Sequence, residues 1–293
     1  MTLFNLGSIN IDHVHRVPHF PGPGETLADL SYAAGLGGKG ANQSLSAVAA
    51  GAQTNHIGAV GADGVWAVER LAAAGIGTGA IAQVHAATGH AVIYVDPAGE
   101  NQIVIHGGAN RAIVLEQVTA SLDRAAPGDW FLTQNETNGV ADAMAAARAR
   151  GLQTAHVAAP FVAETAAAVL PLSDLLIVNE GEARALADHL GLAVEQLPVP
   201  KLLITLGAEG AVWIASGARL EIPAFPVTPV DTTGAGDTFT GYALAGLDRG
   251  EAPERALARA CAAAALSVTR SGAADAIPSL ADVDAFLKEH GHG

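Results

Sequence analysis

The feature of this sequence that most restricts its fold is the alternation of short apolar runs with alanine-rich helical stretches. Runs typical of buried strands occupy residues 3–6, 55–60, 130–133, 175–178 and 202–206. Helical patterns between them occupy residues 41–50, 65–74, 141–150 and 182–190. Such alternation predicts a parallel sheet with helices on both faces, whose ligand site lies at the carboxyl ends of the strands.

Two segments, 13–36 and 88–108, interrupt this alternation. The second contains two apolar runs joined by a turn at 96–100, which is typical of a β-hairpin. Because its first run is apolar on both faces, we expect a small lid sheet with one face over a ligand and the other against a partner subunit. The sequence contains no fixed-period repeat and no clear linker, so residues 1–293 are expected to form one domain.

Composition narrows the class of protein. Half of the 293 residues are hydrophobic and 15% are charged, which excludes a disordered chain. The 29 acidic residues outnumber the 15 basic ones and no dense Lys/Arg stripe occurs, so nucleic acid is not an expected partner. The sequence lacks an apolar run of about 18 residues and a signal-peptide pattern, and its one cysteine, Cys261, can form no internal disulfide. We therefore expect no membrane contact and a cytoplasmic location.

The segment DTTGAGDTF at 231–239 is typical of a glycine turn between a strand and a helix. Phe225, Val227 and Val230 predict the arriving strand, and apolar residues at helical spacing follow from Phe239. A glycine turn at a helix N-terminus presents unpaired N–H groups that bind an anion, most often phosphate. Asp237 is then either a helix cap or a general base that faces a group attacking the bound phosphate.

A second glycine cluster, LGGKGANQS, occupies residues 36–44. Its glycines allow close approach of the backbone, while Lys39 and Asn42 supply donors and an acceptor within one helical turn. This suits a ligand rich in hydroxyl groups. The segment is not a Walker phosphate loop, because the first glycine has the wrong spacing and Ala41 replaces the required hydroxyl residue.

Carboxylates also follow two other predicted strands. Asn10 and Asp12 point the same way if the chain stays extended, and together they can clamp a vicinal diol. The alternative for this pair is an ordinary Asx turn. Glu136 lies after the strand at 130–133, and by itself it is weak evidence for a ligand site.

Two further motifs follow the last predicted strands. In VNEGEA, Asn179 and Glu182 form either a capping box or an outer-shell magnesium site, and both interpretations can hold. In TLGAEG, at 205–210, a nucleotide could lie along the glycine-rich turn, and a plain hairpin is the alternative.

Together these motifs resemble the ribokinases within the PfkB family of carbohydrate kinases. The match runs nearly end to end, through GSINIDH, PGET, GGKGANQ, GENQIVIHGGAN, NEGE, TLGAEG, DTTGAGDTFTG and SVTRSGA. The resemblance implies an α/β fold, namely a ribokinase-like three-layer α/β/α sandwich with a mainly parallel central sheet and a small β-sheet lid. It also implies a homodimer formed through the lids.

The resemblance further implies phosphoryl transfer from ATP, with Mg²⁺, to a sugar hydroxymethyl group. It assigns Asp237 as the base and the amides of Gly234, Ala235 and Gly236 as the anion hole. The implied sugar-binding residues are Asn10, Asp12, Gly38, Lys39, Asn42, Glu136 and Asp237. The implied nucleotide and metal residues are Asn179, Thr205, Gly207 and Gly210 for ATP, Asn179 and Glu182 for Mg²⁺, and Asp231 and Thr233 for a monovalent cation such as K⁺.

Two positions depart from the family pattern. Ala276 stands where these kinases usually carry a serine of the cation site, which predicts weak or absent potassium activation. Cys261 stands where an Asn or His commonly meets the adenine edge, which predicts a relaxed nucleotide preference.

The expected product is ribose 5-phosphate, and several rivals remain. The alternatives are a fructokinase-like or an adenosine/inosine kinase-like member of the family and a non-catalytic sugar-binding regulator. An aromatic content of 4% argues mildly against a nucleoside substrate, although Tyr32 and Tyr94 could stack on a base. A dinucleotide-binding dehydrogenase is disfavoured, because no GxGxxG opens a helix after the first strand.

Overall fold

The computed structural model describes residues 2–291, which form two separate β-sheets with helices around the larger one. In chain order the strands are β1 (Thr2–Leu6), β2 (Asn10–Arg16), β3 (Ser31–Gly37), β4 (Gln53–Val60), β5 (Gly77–Gln83), β6 (Gly89–Val95), β7 (Asn101–His106), β8 (Trp130–Gln134), β9 (Gln153–Val157), β10 (Leu175–Asn179), β11 (Lys201–Thr205), β12 (Gly210–Ala215) and β13 (Ala218–Pro223). The α-helices are α1 (Lys39–Ala49), α2 (Val65–Ala73), α3 (Leu115–Leu122), α4 (Val140–Ala149), α5 (Ala163–Val169), α6 (Glu180–Leu190), α7 (Ala235–Asp248), α8 (Pro253–Val268) and α9 (Leu280–Glu289).

The larger sheet has the order β13-β12-β11-β10-β9-β8-β1-β4-β5. Its strands are parallel from β11 through β5, and β12 and β13 add an antiparallel edge. Neighbouring residues of β1 point to opposite faces: Leu3 belongs to an apolar core with α7, α8 and α9, and Phe4 belongs to one with α3 and α4. Because both faces are covered by helices, the predicted three-layer α/β/α sandwich is confirmed.

The five strands and four helices predicted from the alternating runs are all present, and their ends differ from the prediction by at most two residues. The strand predicted across Phe225, Val227 and Val230 is wrong, because residues 224–230 form no strand. The last strand ends at Pro223, and Pro226 and Pro229 follow. Prolines have no N–H group to donate to a sheet ladder, so an extended loop leads into α7 instead.

The smaller sheet, which we call the lid sheet, has the order β3-β2-β6-β7. Strand β2 pairs antiparallel with β3 and parallel with β6, and the predicted hairpin of β6 and β7 is confirmed by their antiparallel register. The turn of this hairpin is held by Asp96, whose carboxylate accepts the N–H groups of Ala98 and Glu100 at 2.9 Å each. The chain enters the lid sheet twice: β2 and β3 lie between β1 and α1, and β6 and β7 lie between β5 and α3.

No α-helix within residues 2–291 is both long enough and apolar enough to cross a membrane.

Helices α1 and α7 approach each other unusually closely, and both begin at a glycine motif. A Cβ atom on Gly241 in α7 would lie 2.5 Å from Ser46 Cβ and 2.6 Å from the main-chain nitrogen of Ala47 in α1. The hydroxyl of Ser46 donates to the carbonyl of Thr238 at 2.7 Å across the same contact. The two helix starts are therefore fixed relative to each other by contact between their backbones.

We expect Gly241→Ala to destabilise the protein, although alanine normally favours a helix interior by about 1 kcal/mol over glycine. The added methyl group would meet main-chain atoms, and overpacking of this kind costs about 1–3 kcal/mol. The measurement is thermal unfolding, in which about 2–4 °C corresponds to 1 kcal/mol for domains somewhat smaller than this one. Gly181→Ala in α6 is the matched control, because its Cβ would meet nothing closer than 3.4 Å. Equal or higher stability of Gly241→Ala would contradict the prediction.

Candidate active site

Three carboxylates converge where the lid sheet meets the carboxyl edge of the larger sheet: Asp12 in β2, Glu136 after β8, and Asp237 in the first turn of α7. Burial, and to a smaller extent the negative charges of Glu136 and Asp237, raise the pKa of Asp12 to about 6. Like charges perturb one another in this way only at short range. The site therefore gathers acceptor oxygens that favour a ligand with several hydroxyl groups.

Glycines make room for the polar side chains of β2. A Cβ on Gly37 would lie 2.0 Å from a carboxylate oxygen of Asp12, and a Cβ on Gly89 would lie 2.4 Å from Oδ1 of Asn10. Asn10 is buried, and its Oδ1 accepts a hydrogen bond of 2.8 Å from Nδ2 of Asn110. Asn10 and Asp12 lie on one face of an extended strand, as predicted, so the alternative of an Asx turn is wrong.

Glu136 is tied to the start of α1. Its Oε2 accepts the main-chain N–H of Lys39 at 3.0 Å and the hydroxyl of Ser8. Gly38 precedes the helix with φ of +92°, and its Cβ would meet the backbone of Ser8 and Asn10 at 2.9 Å. The GGKGANQ motif therefore rests directly on the backbone that joins β1 to β2.

Asp237 is buried between α7 and α1. Its Oδ1 accepts Nε2 of Gln43 at 2.8 Å and its Oδ2 accepts Nδ2 of Asn42 at 3.3 Å. Burial raises the pKa of Asp237, whereas the charge of Lys39 and these two hydrogen bonds favour the ionised form. Its side chain makes no cap bond to its own helix, so the capping alternative is wrong. Oδ1 of Asn42 is buried without a partner within residues 2–291, which leaves an acceptor for a ligand hydroxyl.

The glycine turn before α7 opens towards solvent. Gly234 adopts the left-handed conformation, with φ of +74°, and Cβ space at Gly236 is open. Ala235 N–H makes a long bond of 3.3 Å to the carbonyl of Thr232, whereas the N–H groups of Gly234 and Gly236 donate to no residue in the described part of the chain. Free amides at the positive end of a helix dipole favour an anion beside Asp237.

Asn179 and Glu182 form the predicted capping box at the start of α6, with two hydrogen bonds of 2.8 Å. Burial raises the pKa of Glu182, and the charge of Lys39 opposes that rise. Lys39 acts in the same way on Asp237, so its charge favours the ionised form of both carboxylates. Residues 2–291 contain no cluster of three or more His, Cys, Asp or Glu side chains arranged to hold a metal ion. Any magnesium bound here would keep most of its waters, as the outer-shell interpretation requires.

The TLGAEG turn joins β11 to β12 as an antiparallel hairpin, and the nucleotide site along it stays a prediction. Gly210 is required by packing, because its Cβ would lie 2.0 Å from the carbonyl oxygen of Ile222. Gly207 has φ of +59° and open space around its Cβ position, which leaves a surface for a ligand. The hydroxyl of Thr205 makes a long bond of 3.5 Å to the carbonyl of Val178.

The two departures from the family pattern, Ala276 and Cys261, are both buried. Ala276 is buried after a loop in which Gly272 N–H donates to Asp231 at 2.9 Å. The other carboxylate oxygen of Asp231 accepts Thr233 N–H, also at 2.9 Å. Cys261 is buried in α8, and burial raises the pKa of its thiol to about 12.

A cavity of about 530 Å³ lies between the lid sheet and the body. Asn10, Ile105 and His106 line it on the lid side, and Asn110 and Glu136 line it on the body side. Of the three carboxylates, Glu136 lines this cavity.

The comparisons with known proteins agree with this geometry. A family model described as pfkB family carbohydrate kinase matches residues 2–280. The chain is 37% identical to a ribokinase of Haemophilus influenzae over 303 residues, an alignment that covers 98% of each protein. The chain belongs to the pfkB family of carbohydrate kinases.

Two solved structures with this fold are ribokinases. The ribokinase of Thermotoga maritima has a TM-score of 0.87 at 32% identity and covers 98% of this chain and 99% of its own. The ribokinase of Arabidopsis thaliana, complexed with ribose and ATP, has a TM-score of 0.87 at 26% identity and covers 98% of each chain.

Three polar residues of this carbohydrate kinase lie at the site although the sequence interpretation did not select them: Ser8, Gln43 and Asn110. Gln43 follows Lys39 by one helical turn, so the sequence already indicated that both side chains lie on the same face of the helix. Asn110 carried no comparable signal, because it reaches Asn10 across 100 residues of sequence.

We expect Asp12→Asn to stabilise the unliganded kinase above pH 6. The folded pKa of about 6 exceeds the ordinary value of 3.8, so wild-type stability is complete below pH 3.8 and falls as pH rises to about 6. At pH 8 the gain is on the order of 2–3 kcal/mol, and it disappears below about pH 4. Thermal unfolding across this pH range measures it. The exposed Asp188→Asn in α6 serves as control, with a change within about 0.5 kcal/mol. A gain for Asp12→Asn that does not depend on pH would contradict the prediction.

Proposed function

We propose that this chain transfers the γ-phosphoryl group of ATP to the 5-hydroxyl of D-ribose and releases ribose 5-phosphate and ADP. The observation that carries the proposal is the position of Asp237, a buried carboxylate beside unpaired amides at the start of α7. The ribokinases that match over nearly the whole chain support ribose as the sugar.

In the proposed reaction the 5-hydroxyl oxygen forms a bond to the γ-phosphorus, and the bond from that phosphorus to the bridging oxygen of ADP breaks. The hydroxyl proton passes to Oδ2 of Asp237, whose one bond, from Asn42, is long at 3.3 Å. The amides of Gly234, Ala235 and Gly236 bind the transferred group, with those of Gly234 and Gly236 unpaired within residues 2–291. Positioning and charge stabilisation supply most of the catalysis in such transfers.

We assign sugar binding to Asn10, Asp12, Gly38, Lys39, Asn42 and Glu136. The carboxylates accept from the sugar hydroxyls, and the unpartnered Oδ1 of Asn42 takes one more. An analogue without one of these hydroxyls would leave a buried polar group unpaired, at a cost of about 1–3 kcal/mol.

We assign the nucleotide to the surface formed by Thr205, Gly207, Gly210 and Asn179, where Gly207 faces open space. Magnesium fits beside Asn179 and Glu182 through its waters, because Glu182 has one carboxylate oxygen outside the capping box. When bound there with ATP, the ion neutralises phosphate charge. Lys39, which acts on both Glu182 and Asp237, shares that role from the protein side.

We propose that monovalent-cation activation is weak. Both carboxylate oxygens of Asp231 already accept main-chain N–H groups, from Thr233 and Gly272, and Ala276 offers a buried methyl group in place of a hydroxyl. Initial rates in K⁺ and in Na⁺ at equal ionic strength test this, and a large increase in K⁺ would contradict it.

We further propose that residues 1–293 form one domain in which the lid segments, 13–36 and 88–108, close over the sugar. The face of β2 with Asn10 and Asp12 points to the cavity.

On the opposite face of the lid sheet Tyr32 and Val104 are 53% and 66% exposed, and a second copy of this chain would cover them. Sedimentation equilibrium measures the assembly, and a mass of one chain would contradict the dimer. A cytoplasmic location stays a prediction from the sequence.

A panel of ribose, deoxyribose, fructose, adenosine and inosine with ATP, scored by ADP release, tests the substrate. We expect the highest kcat/KM for ribose. Tyr32 and Tyr94 both contact His15, which lies on the opposite face of β2 from Asn10 and Asp12, so they are not placed to stack on a base in the cavity. Activity on fructose or a nucleoside but not on ribose would overturn the assignment, and no turnover of any of them would favour a sugar-binding regulator.

Asp237→Asn should lower kcat by about 10²–10⁴-fold, because the amide cannot take the hydroxyl proton. Ribose binding, measured by titration calorimetry, should persist because the side chain keeps its shape. Asp142→Asn is a matched control, since Asp142 occupies the same third position in the first turn of α4 and is exposed. Near-normal turnover of Asp237→Asn would refute the assignment of the base.

A further inference from the structure

We propose that Gln43 is a positioning residue that aims Asp237, and that a buried chain of amides, from Gly40 through Asn5 and Gln134, fixes Gln43 in its donating orientation. This inference rests on the proposed function, in which Asp237 is the base. It concerns residues that do not themselves touch the reacting atoms.

Gln43 links the base to the interior of the protein. It lies in α1, and its Nε2 donates to Oδ1 of Asp237 at 2.8 Å, the shorter of the two hydrogen bonds that this carboxylate accepts. Its Oε1 accepts from Nε2 of Gln134 at 2.8 Å. Gln43 and Gln134 are both fully buried, so solvent does not compete for either bond.

The direction of every bond in the chain follows from one main-chain carbonyl. The oxygen of Gly40 can only accept, and Nδ2 of Asn5 donates to it at 2.8 Å. Oδ1 of Asn5 therefore faces Gln134, whose Nε2 donates to it at 2.9 Å. The same Nε2 group uses its second hydrogen on Oε1 of Gln43, and this leaves Nε2 of Gln43 for Asp237.

The reversed orientation of Gln43 is unfavourable at both ends. It would place Oε1 against the carboxylate of Asp237, and Nε2 against the donating group of Gln134. Oε1 of Gln134 is itself buried without a partner within residues 2–291, so this residue leaves an acceptor unpaired while both of its donors are used. A chain built merely to satisfy buried polar groups would pair that oxygen.

The consequence for the base is a difference between its two oxygens. Oδ1 is held by Gln43, and Oδ2 is left with the longer bond from Asn42, so Oδ2 is the atom directed to the sugar hydroxyl. The charged groups that act on Asp237 are Lys39 from α1, Glu136 after β8, and Asp12 from the lid sheet. Among them Lys39 favours the ionised base and the two carboxylates oppose it, so the donor from Gln43 adds to the effect of Lys39.

The test compares Gln43→Met with wild type in the pH dependence of kcat and in thermal unfolding. Methionine fills a similar volume but donates no hydrogen bond. We expect kcat at pH 7 to fall about tenfold or more, the acid limb of the profile to move to higher pH, and part of the activity to return as pH rises. Gln43→Glu keeps the bond from Gln134 and places an oxygen against Asp237, so it should move the acid limb in the same direction.

Ser46→Ala is the matched control, because Ser46 joins α1 to α7 one turn further on and does not touch Asp237. We expect it to lower the unfolding temperature and to leave the shape of the pH profile unchanged. If Gln43→Met behaves in the same way as Ser46→Ala, Gln43 is a structural residue and the proposal is overturned. If Gln43→Met does not fold, the pH profile of Gln43→Glu is the test, and an unshifted acid limb in that variant overturns the proposal.

A second readout separates this proposal from the proposed function. The carboxyl ¹³C shift of Asp237, followed through a pH titration of the unliganded protein, needs no turnover. The midpoint should move to higher pH in Gln43→Met and stay in place in Ser46→Ala. An unmoved midpoint would overturn the role of Gln43 even if ribose is phosphorylated. A moved midpoint together with no activity on any substrate of the panel would overturn the function instead.

Discussion

The constraint on which this structure depends is the burial of Asp237 in an ionisable form. A carboxylate taken out of water needs donors, and here they come from Gln43 and Asn42 on a neighbouring helix, with the charge of Lys39 nearby. Those donors reach it because α1 and α7 pack at Gly241 with almost no space between their backbones. Packing of small residues therefore sets the electrostatics of the site.

The three carboxylates of the site lower the stability of the folded protein and suit a ligand with several hydroxyl groups. Burial, together with repulsion from Glu136 and Asp237, raises the pKa of Asp12 to about 6. A polyhydroxylated sugar would replace that repulsion with hydrogen bonds. Proteins commonly give up stability at functional sites in this way. Strand β2 of the lid sheet carries both Asn10 and Asp12, and Asn10 lines the cavity.

The chain combines the frame of the pfkB carbohydrate kinases with two apolar substitutions of its own. Ala276 and Cys261 are both buried. Each carboxylate oxygen of Asp231 accepts a main-chain N–H group, so Asp231 joins the loop before α7 to the loop that holds Gly272.

The sequence by itself determined the parallel sheet, the positions of its main strands and helices, the hairpin of the lid and the glycine turn with Asp237. Each of these depends on local periodicity, or on a conformation that glycine alone adopts easily. The prediction of a strand from the sequence is wrong at 225–230, because Pro226 and Pro229 prevent the ladder hydrogen bonds that the apolar pattern predicts. Only the tertiary structure decided that Gln43, Asn110 and Ser8 belong to the site, because their partners lie between 100 and 194 residues away. Hydrogen bonds between residues far apart in the sequence produce no periodic pattern, so the orientation of Asp237 follows from the folded structure alone.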